Sequence, residues 1–207
     1  MGHVIAFAQQ KGGAGKTTVL AHLADAWARA GKSVAIADLD PQRSLTIWGE
    51  MRDGAPLTVQ ESAGWRAGSD IKDLAKAHDI TLVDCPGNAS TLLEAALRES
   101  DLVIVPCQPS VFDAWATGPI LEMAAKEKTH ARVLLNRVPP RGGSVDAVKA
   151  KLQELGATLL KTTLGNRVAF STGIARGTTA LGLAKRSVAT DEIGKLRREV
   201  DRVLKGL

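Results

Sequence analysis

Gln9-Gln10-Lys11-Gly12-Gly13-Ala14-Gly15-Lys16-Thr17-Thr18 is the stretch whose reading decides the fold. Upstream stands an apolar run, Val4-Ile5-Ala6-Phe7-Ala8, which reads as a short buried strand. Downstream, Leu20, Leu23, Ala24 and Trp27 recur at helical spacing. Strand, glycine-rich turn and helix in that order form the setting of a phosphate-binding loop. The glycines let the backbone approach a polyphosphate closely, and successive N–H groups and the helix N-terminus supply partial positive charge. Lys16 adds a full charge for the β- and γ-phosphates, and the Thr17 hydroxyl is placed for Mg²⁺. The loop departs from G-x-x-x-x-G-K-[ST]: Gln10 stands where the first glycine belongs, and a second lysine, Lys11, follows it.

Outward from the loop, apolar runs alternate with helical patterns. Strands are expected at 33–37, 80–83, 102–105 and 131–135, with a weak one at 57–59. Helices are expected at 45–52 (Ser44 as a cap), from 69 or 70, at 91–99, at 112–128, at 145–155, near 166–176 and at 189–205. Gly118-Pro119 is expected to kink or restart the helix at 112–128. A short strand is expected somewhere in 157–188. Continuous apolar strands separated by helices mean an α/β fold: a mostly parallel twisted sheet with helices on both faces, here in a single domain over 1–207. In such folds chemistry collects at the carboxyl ends of the strands. Those ends carry the glycine loop, Asp38-Leu39-Asp40, Asp84-Cys85-Pro86-Gly87, Pro106-Cys107-Gln108-Pro109 and Asn136-Arg137.

A bound nucleoside triphosphate needs a metal to neutralise its phosphates and a positioned water for hydrolysis. Asp84, after Ile80-Thr81-Leu82-Val83, occupies the place of the strand-end acid that holds Mg²⁺ through a water. Asp38 and Asp40 end the second strand and point to one side. We assign Asp40 to the attacking water, because Pro41 then turns the chain away; Asp38 holds the loop or the waters of the metal, and its plain alternative is a cap on the next helix. His3, His22, His78 and His130 share no metal-ligand spacing and read as surface or capping residues, and Trp27 reads as core. Cys85 and Cys107 have neither zinc nor redox spacing and read as reduced buried thiols.

The net charge of +5 is uneven. Residues 161–207 carry +6, and the first 160 carry −1. A basic C-terminal quarter suits a polyanion, either nucleic acid or an anionic membrane; its plain alternative is a solvated basic face. In the last helix Ile193, Leu196, Val200, Val203 and Leu207 form an apolar stripe. Lys195, Arg198, Arg202 and Lys205 form a basic stripe beside it. No apolar run approaches the roughly 20 residues of a membrane span, and no signal peptide is read, which points to the cytoplasm.

At Lys11-Gly12-Gly13-Ala14-Gly15-Lys16-Thr17 and Asp38-Leu39-Asp40-Pro41-Gln42 the chain resembles the ParA/MinD family of deviant Walker A P-loop ATPases. The stretches 40–46 and 106–110, with the compact length, look most like the small (ParF-like) ParA proteins of plasmid partition. The resemblance runs over the whole chain, strongest through residue 115.

It implies a homodimer closed face to face around two ATP molecules and Mg²⁺. Lys11 then reaches across to the phosphates of the other subunit, like an arginine finger supplied in trans. Residues 12–18 (Gly12, Gly13, Ala14, Gly15, Lys16, Thr17, Thr18) hold the nucleotide, Asn136 contacts the adenine, and 38–44 and 84–88 are the switch segments. The stretch 106–110 lies near the nucleotide and the dimer face. The family's partition ATPases bind nucleoid DNA non-specifically as ATP dimers and release it after hydrolysis stimulated by a ParB-like adaptor. That fits the basic quarter, with Arg167, Lys195, Arg198 and Arg202 as DNA contacts. A MinD-like membrane ATPase is the rival, weakened by the lack of a Trp or Phe anchor in the last helix. A related tyrosine kinase would need a tyrosine tail, and the chain has no tyrosine.

Overall fold

The structure is a computed structural model that describes residues 2–62, 64–87, 91–141 and 144–207. Its elements run β1 (His3–Phe7), α1 (Lys16–Arg29), β2 (Val34–Asp38), α2 (Ser44–Met51), β3 (Thr58–Glu61), α3 (Ala67–Ala77), β4 (Ile80–Asp84) and α4 (Thr91–Arg98). They continue with β5 (Leu102–Cys107), α5 (Val111–Lys126), β6 (His130–Leu135), α6 (Ser144–Glu154), α7 (Val168–Ala175), α8 (Ala180–Leu183) and α9 (Val188–Leu204). The strands form one sheet in the order β3-β2-β4-β1-β5-β6, and every pair in it is parallel.

Alternation along the strands builds two cores. Ile5, Phe7, Val34, Ile36, Leu82 and Ile104 face one way, onto α1 and the α9 residues Ile193, Leu196 and Val200. Val4, Ala6, Ala35, Ala37, Val83 and Val103 face the other way, onto α3, α4, α5 and α6. Burial on both faces is why these strands read as unbroken apolar runs rather than as alternating ones. The parallel register stands Asp38 opposite Asp84, and Asp84 opposite Phe7, so the acids and the glycine loop share one edge.

Several expectations are corrected. Helix α3 begins at Ala67, after a 3₁₀ turn at Gly64–Arg66. Ser44 does not cap α2: Arg43, in the left-handed region at φ 54°, precedes it, and the Asp38 carboxylate supplies the capping oxygen. Helix α5 runs through Pro119 without interruption. The lost hydrogen bond there is offset by burial of Ala114, Ile120 and Ala124 against the sheet. The strand expected in 157–188 is replaced by two single bridges, Val133 with Leu159 and Val138 with Gly165, which run a loop along the open edge of β6. Helix α8 was not foreseen. His22 is fully buried, and the α9 stripe ends in Leu204 rather than in Leu207, which is exposed.

Candidate nucleotide site

The loop between β1 and α1 takes its shape from two glycines in the left-handed region, Gly13 at φ 81° and Gly15 at φ 93°. A Cβ on Gly15 would also run into the Asn136 amide. Lys16 Nζ donates to the Gln9 carbonyl at 3.1 Å, so its ammonium folds back over the loop. At the start of α1 the Thr17 hydroxyl donates to Asp84 Oδ2 at 2.8 Å.

Asp84 is fully buried, and its Oδ1 has no hydrogen-bond partner. Burial first, then the Asp38 and Asp40 carboxylates, push its pKa up to about 7, against the Thr17 hydrogen bond and the Lys16 charge. An orphaned carboxylate oxygen beside a threonine hydroxyl is a hard, all-oxygen donor set, and it fits Mg²⁺. Among the described residues no cluster of three His, Cys, Asp or Glu could hold a metal. Phosphate oxygens and water would complete the shell, as Mg²⁺ prefers.

The other two strand-end acids divide as follows. Asp38 Oδ2 accepts from the Thr46 N–H at 2.9 Å and the Thr46 hydroxyl at 3.0 Å, and its Oδ1 accepts from the Asp40 N–H at 3.2 Å. Both oxygens hold the 38–46 loop, which leaves Thr17 and Asp84 as the residues that could hold a metal. The carboxylate of the half-buried Asp40 accepts only from the Gln42 N–H, at 2.9 Å, among the described residues. The second switch segment, 84–88, is described as far as Gly87; Asn88 lies outside the described residues.

Lys11 points away from the loop. Within this single chain its ammonium pairs with the buried carboxylate of Asp113 on α5. Sequence reading missed the polar frame around it. Gln9 Nε2 donates to the Pro106 carbonyl and the Thr117 hydroxyl, both at 3.2 Å, and Gln108 Nε2 donates to the Gly13 carbonyl at 3.2 Å. The available signal was a polar residue on either side of two special loops, Gln9 before the glycines and Gln108 between two prolines.

Asn136 is buried at the end of β6. Its Nδ2 donates to the Ala14 carbonyl at 2.8 Å and its Oδ1 accepts from the Arg137 N–H at 2.9 Å, so it ties β6 to the glycine loop. It also lines a cavity of about 220 Å³ with Gly15, Thr18, Val19, Leu164, Arg167 and Phe170. His22 forms part of the wall. Its Nε2 accepts from the Ala180 N–H at 3.0 Å, so Nδ1 carries the proton and donates to the Thr18 carbonyl at 2.7 Å. Burial drives its pKa down to about 4, against the Thr18 hydrogen bond and the Asp25 charge.

The basic residues do not act as one group. Lys161, Lys195, Arg198 and Arg202 surround an open groove of about 580 Å³, and none of them is ion-paired among the described residues. Arg167, expected among the DNA contacts, stands apart from that groove and lines the cavity beside Asn136, where Glu192 of α9 holds its guanidinium at 2.7 Å.

A parallel α/β sheet with this loop, Thr17–Asp84 and Asp38/Asp40 at one edge defines a P-loop nucleotide-binding domain. Residues 5–180 match the CobQ/CobB/MinD/ParA nucleotide binding domain, and the chain belongs to that family. It is 29% identical over 206 residues to maintenance of carboxysome distribution protein A of Halothiobacillus neapolitanus, covering 95% of each chain. It is 33% identical over 181 residues to protein ParA of Rhizobium radiobacter, covering 81% of this chain and 80% of that one. The septum site-determining protein MinD of Pyrococcus horikoshii, complexed with Mg-ADP, has the same fold: TM-score 0.80 at 19% identity, over 99% of this chain and 98% of that one.

Proposed function

We propose that the protein is a Mg²⁺-dependent ATPase in which ATP closes a homodimer. In that state it binds nucleoid DNA without sequence preference, and a ParB-like adaptor stimulates hydrolysis to release it, so that a cargo is positioned or segregated in the cytoplasm. One observation carries this reading: the two lysines of one loop part company. Lys16 folds over the phosphate site, while Lys11, half-exposed, reaches away from it to Asp113 of α5. A lysine placed there has no task toward its own phosphates and is available to a partner's. Bound Mg²⁺ would neutralise the phosphate oxygens at Thr17 and Asp84. Asp40, whose carboxylate is little engaged, orients the water, and Asn136 fixes the loop beside the adenine cavity. The four unpaired cations of the α9 groove meet the DNA phosphates. The apolar face of α9 is packed into the core, which favours DNA over a lipid surface as the polyanion.

Lys11→Ala tests the reading. It is expected to bind ATP as the wild type does, to stay monomeric with ATP in light scattering, and to release phosphate at background rate. Asp40→Ala is expected to hold an ATP dimer that does not turn over. Wild-type hydrolysis by Lys11→Ala removes the trans lysine from the mechanism.

A further inference from the structure

Arg167 lines the cavity beside the glycine loop and has no place in the reading above. Its guanidinium is held by one acid, with the side chain still 38% exposed. Nη2 and Nε donate to Glu192 Oε1 at 2.7 and 3.3 Å, and Glu192 Oε2 accepts from the Gly165 N–H at 3.1 Å. A Cβ on Gly165 would stand 2.6 Å from Nε and 2.7 Å from both Cζ and Nη2. A point nearly equidistant from three atoms of the guanidinium lies above its plane, not off its edge. Glycine is therefore what lets the plane pass close over the residue 165 backbone.

The rest of the cavity wall is mixed: Val19, Leu164, Phe170 and Ile193 are apolar, and His22, Arg137, Asn166 and Ser171 join Thr18 and Asn136 as its polar part. The charge of Arg167 is already matched by Glu192, so phosphate is a poor partner for it, whether from nucleotide or DNA. What remains to offer is a weakly hydrated, planar cation, braced by Glu192, at a slot of about 220 Å³ next to a phosphate loop. That chemistry suits the face of an aromatic heterocycle. We propose that Arg167 is a nucleobase-stacking residue, its Glu192-braced guanidinium lying against the ring of the bound nucleotide. The proposal rests on the ATP-site reading and adds a determinant for the base. Stacking of this kind is tolerant of base identity, so Arg167 would supply affinity for a purine rather than choose between two of them.

The experiment compares equilibrium binding of ATP and of inorganic tripolyphosphate, both with Mg²⁺, by wild type, Arg167→Ala and Arg167→Lys, with folding followed by thermal melting. Stacking on a base is worth roughly 1–3 kcal/mol, so Arg167→Ala should weaken ATP about five- to 150-fold and leave tripolyphosphate unchanged. Arg167→Lys keeps the charge without the plane and should lose most of the same factor. The proposal is overturned by wild-type ATP affinity in either variant, or by equal losses for ATP and tripolyphosphate. Loss of DNA binding with ATP affinity intact overturns it too, and returns Arg167 to the DNA surface. A wild-type protein that binds tripolyphosphate as tightly as ATP overturns the stacking and spares the phosphate loop; one that binds neither overturns both.

Discussion

His22 is the residue where burial and chemistry conflict most plainly. A histidine in the wall of the cavity can hold its two hydrogen bonds only as the neutral tautomer, because Nε2 accepts from the Ala180 N–H. Its pKa of about 4, against 6.5 when exposed, means that the unfolded chain takes up a proton that the folded chain refuses between those values. Stability from this group is therefore fully present above pH 6.5 and is lost as pH falls toward 4. The loss should reach about 2–3 kcal/mol between pH 7.5 and 4.5. Urea unfolding at the two pH values measures it, and His22→Gln should remove most of the difference. An equal fall in both proteins would place the acid sensitivity elsewhere. Nothing in the sequence marked His22, since a histidine one turn inside a helix has no spacing to read; the buried face of α1 decides it.

At the scale of elements, α9 separates what a pattern gives from what only packing gives. Its apolar stripe was legible from spacing, and Ile193, Leu196 and Val200 are fully buried against the β1–α1 side of the sheet. The end of the stripe was not legible, because Leu204 and Leu207 are both apolar and one turn apart. The helix stops at Leu204, so only Leu204 reaches the core, while Leu207 lies beyond it and is 47% exposed. Leu204→Ala should cost about 2–4 kcal/mol, and Leu207→Ala should stay within about 0.5 kcal/mol. Equal losses in chemical denaturation would mean that the helix continues and packs its last turn. The glycine loop, the strand-end acids and the parallel sheet were equally legible, because each depends on a local run of residues. The Gln9–Thr117 tie and the Lys11–Asp113 pair join positions 108 and 102 residues apart, and no local run carries them, whereas the Asp38 cap on α2 spans 8 residues and was open to reading from the strand end.

Across the whole molecule, the +6 of the last quarter divides by its neighbours rather than by its count. Arg167 is spent on Glu192, and Arg197 on Asp201, whose other oxygen accepts from Trp27 at the α1–α9 joint. Glu199, the acid nearest the groove, turns its oxygens to the N–H groups of Lys161 and Thr162 at 2.6 and 2.8 Å. Of the cations that remain, Lys161, Lys195, Arg198 and Arg202 gather around one groove, in which Glu192 and Glu199 are the only acids among the described lining residues. If this patch meets DNA phosphates, each residue removed should lower the slope of log affinity against log salt by about 0.9. The double variant Arg198→Ala/Arg202→Ala should therefore lose about 1.8 from that slope, without a change in ATP affinity. Arg197→Ala, on the far side of the helix, should leave the slope as it is. Fluorescence anisotropy of a labelled random duplex between 50 and 300 mM salt, with ATP present, reads all three. The same slope in the double variant as in wild type would move the DNA surface off α9.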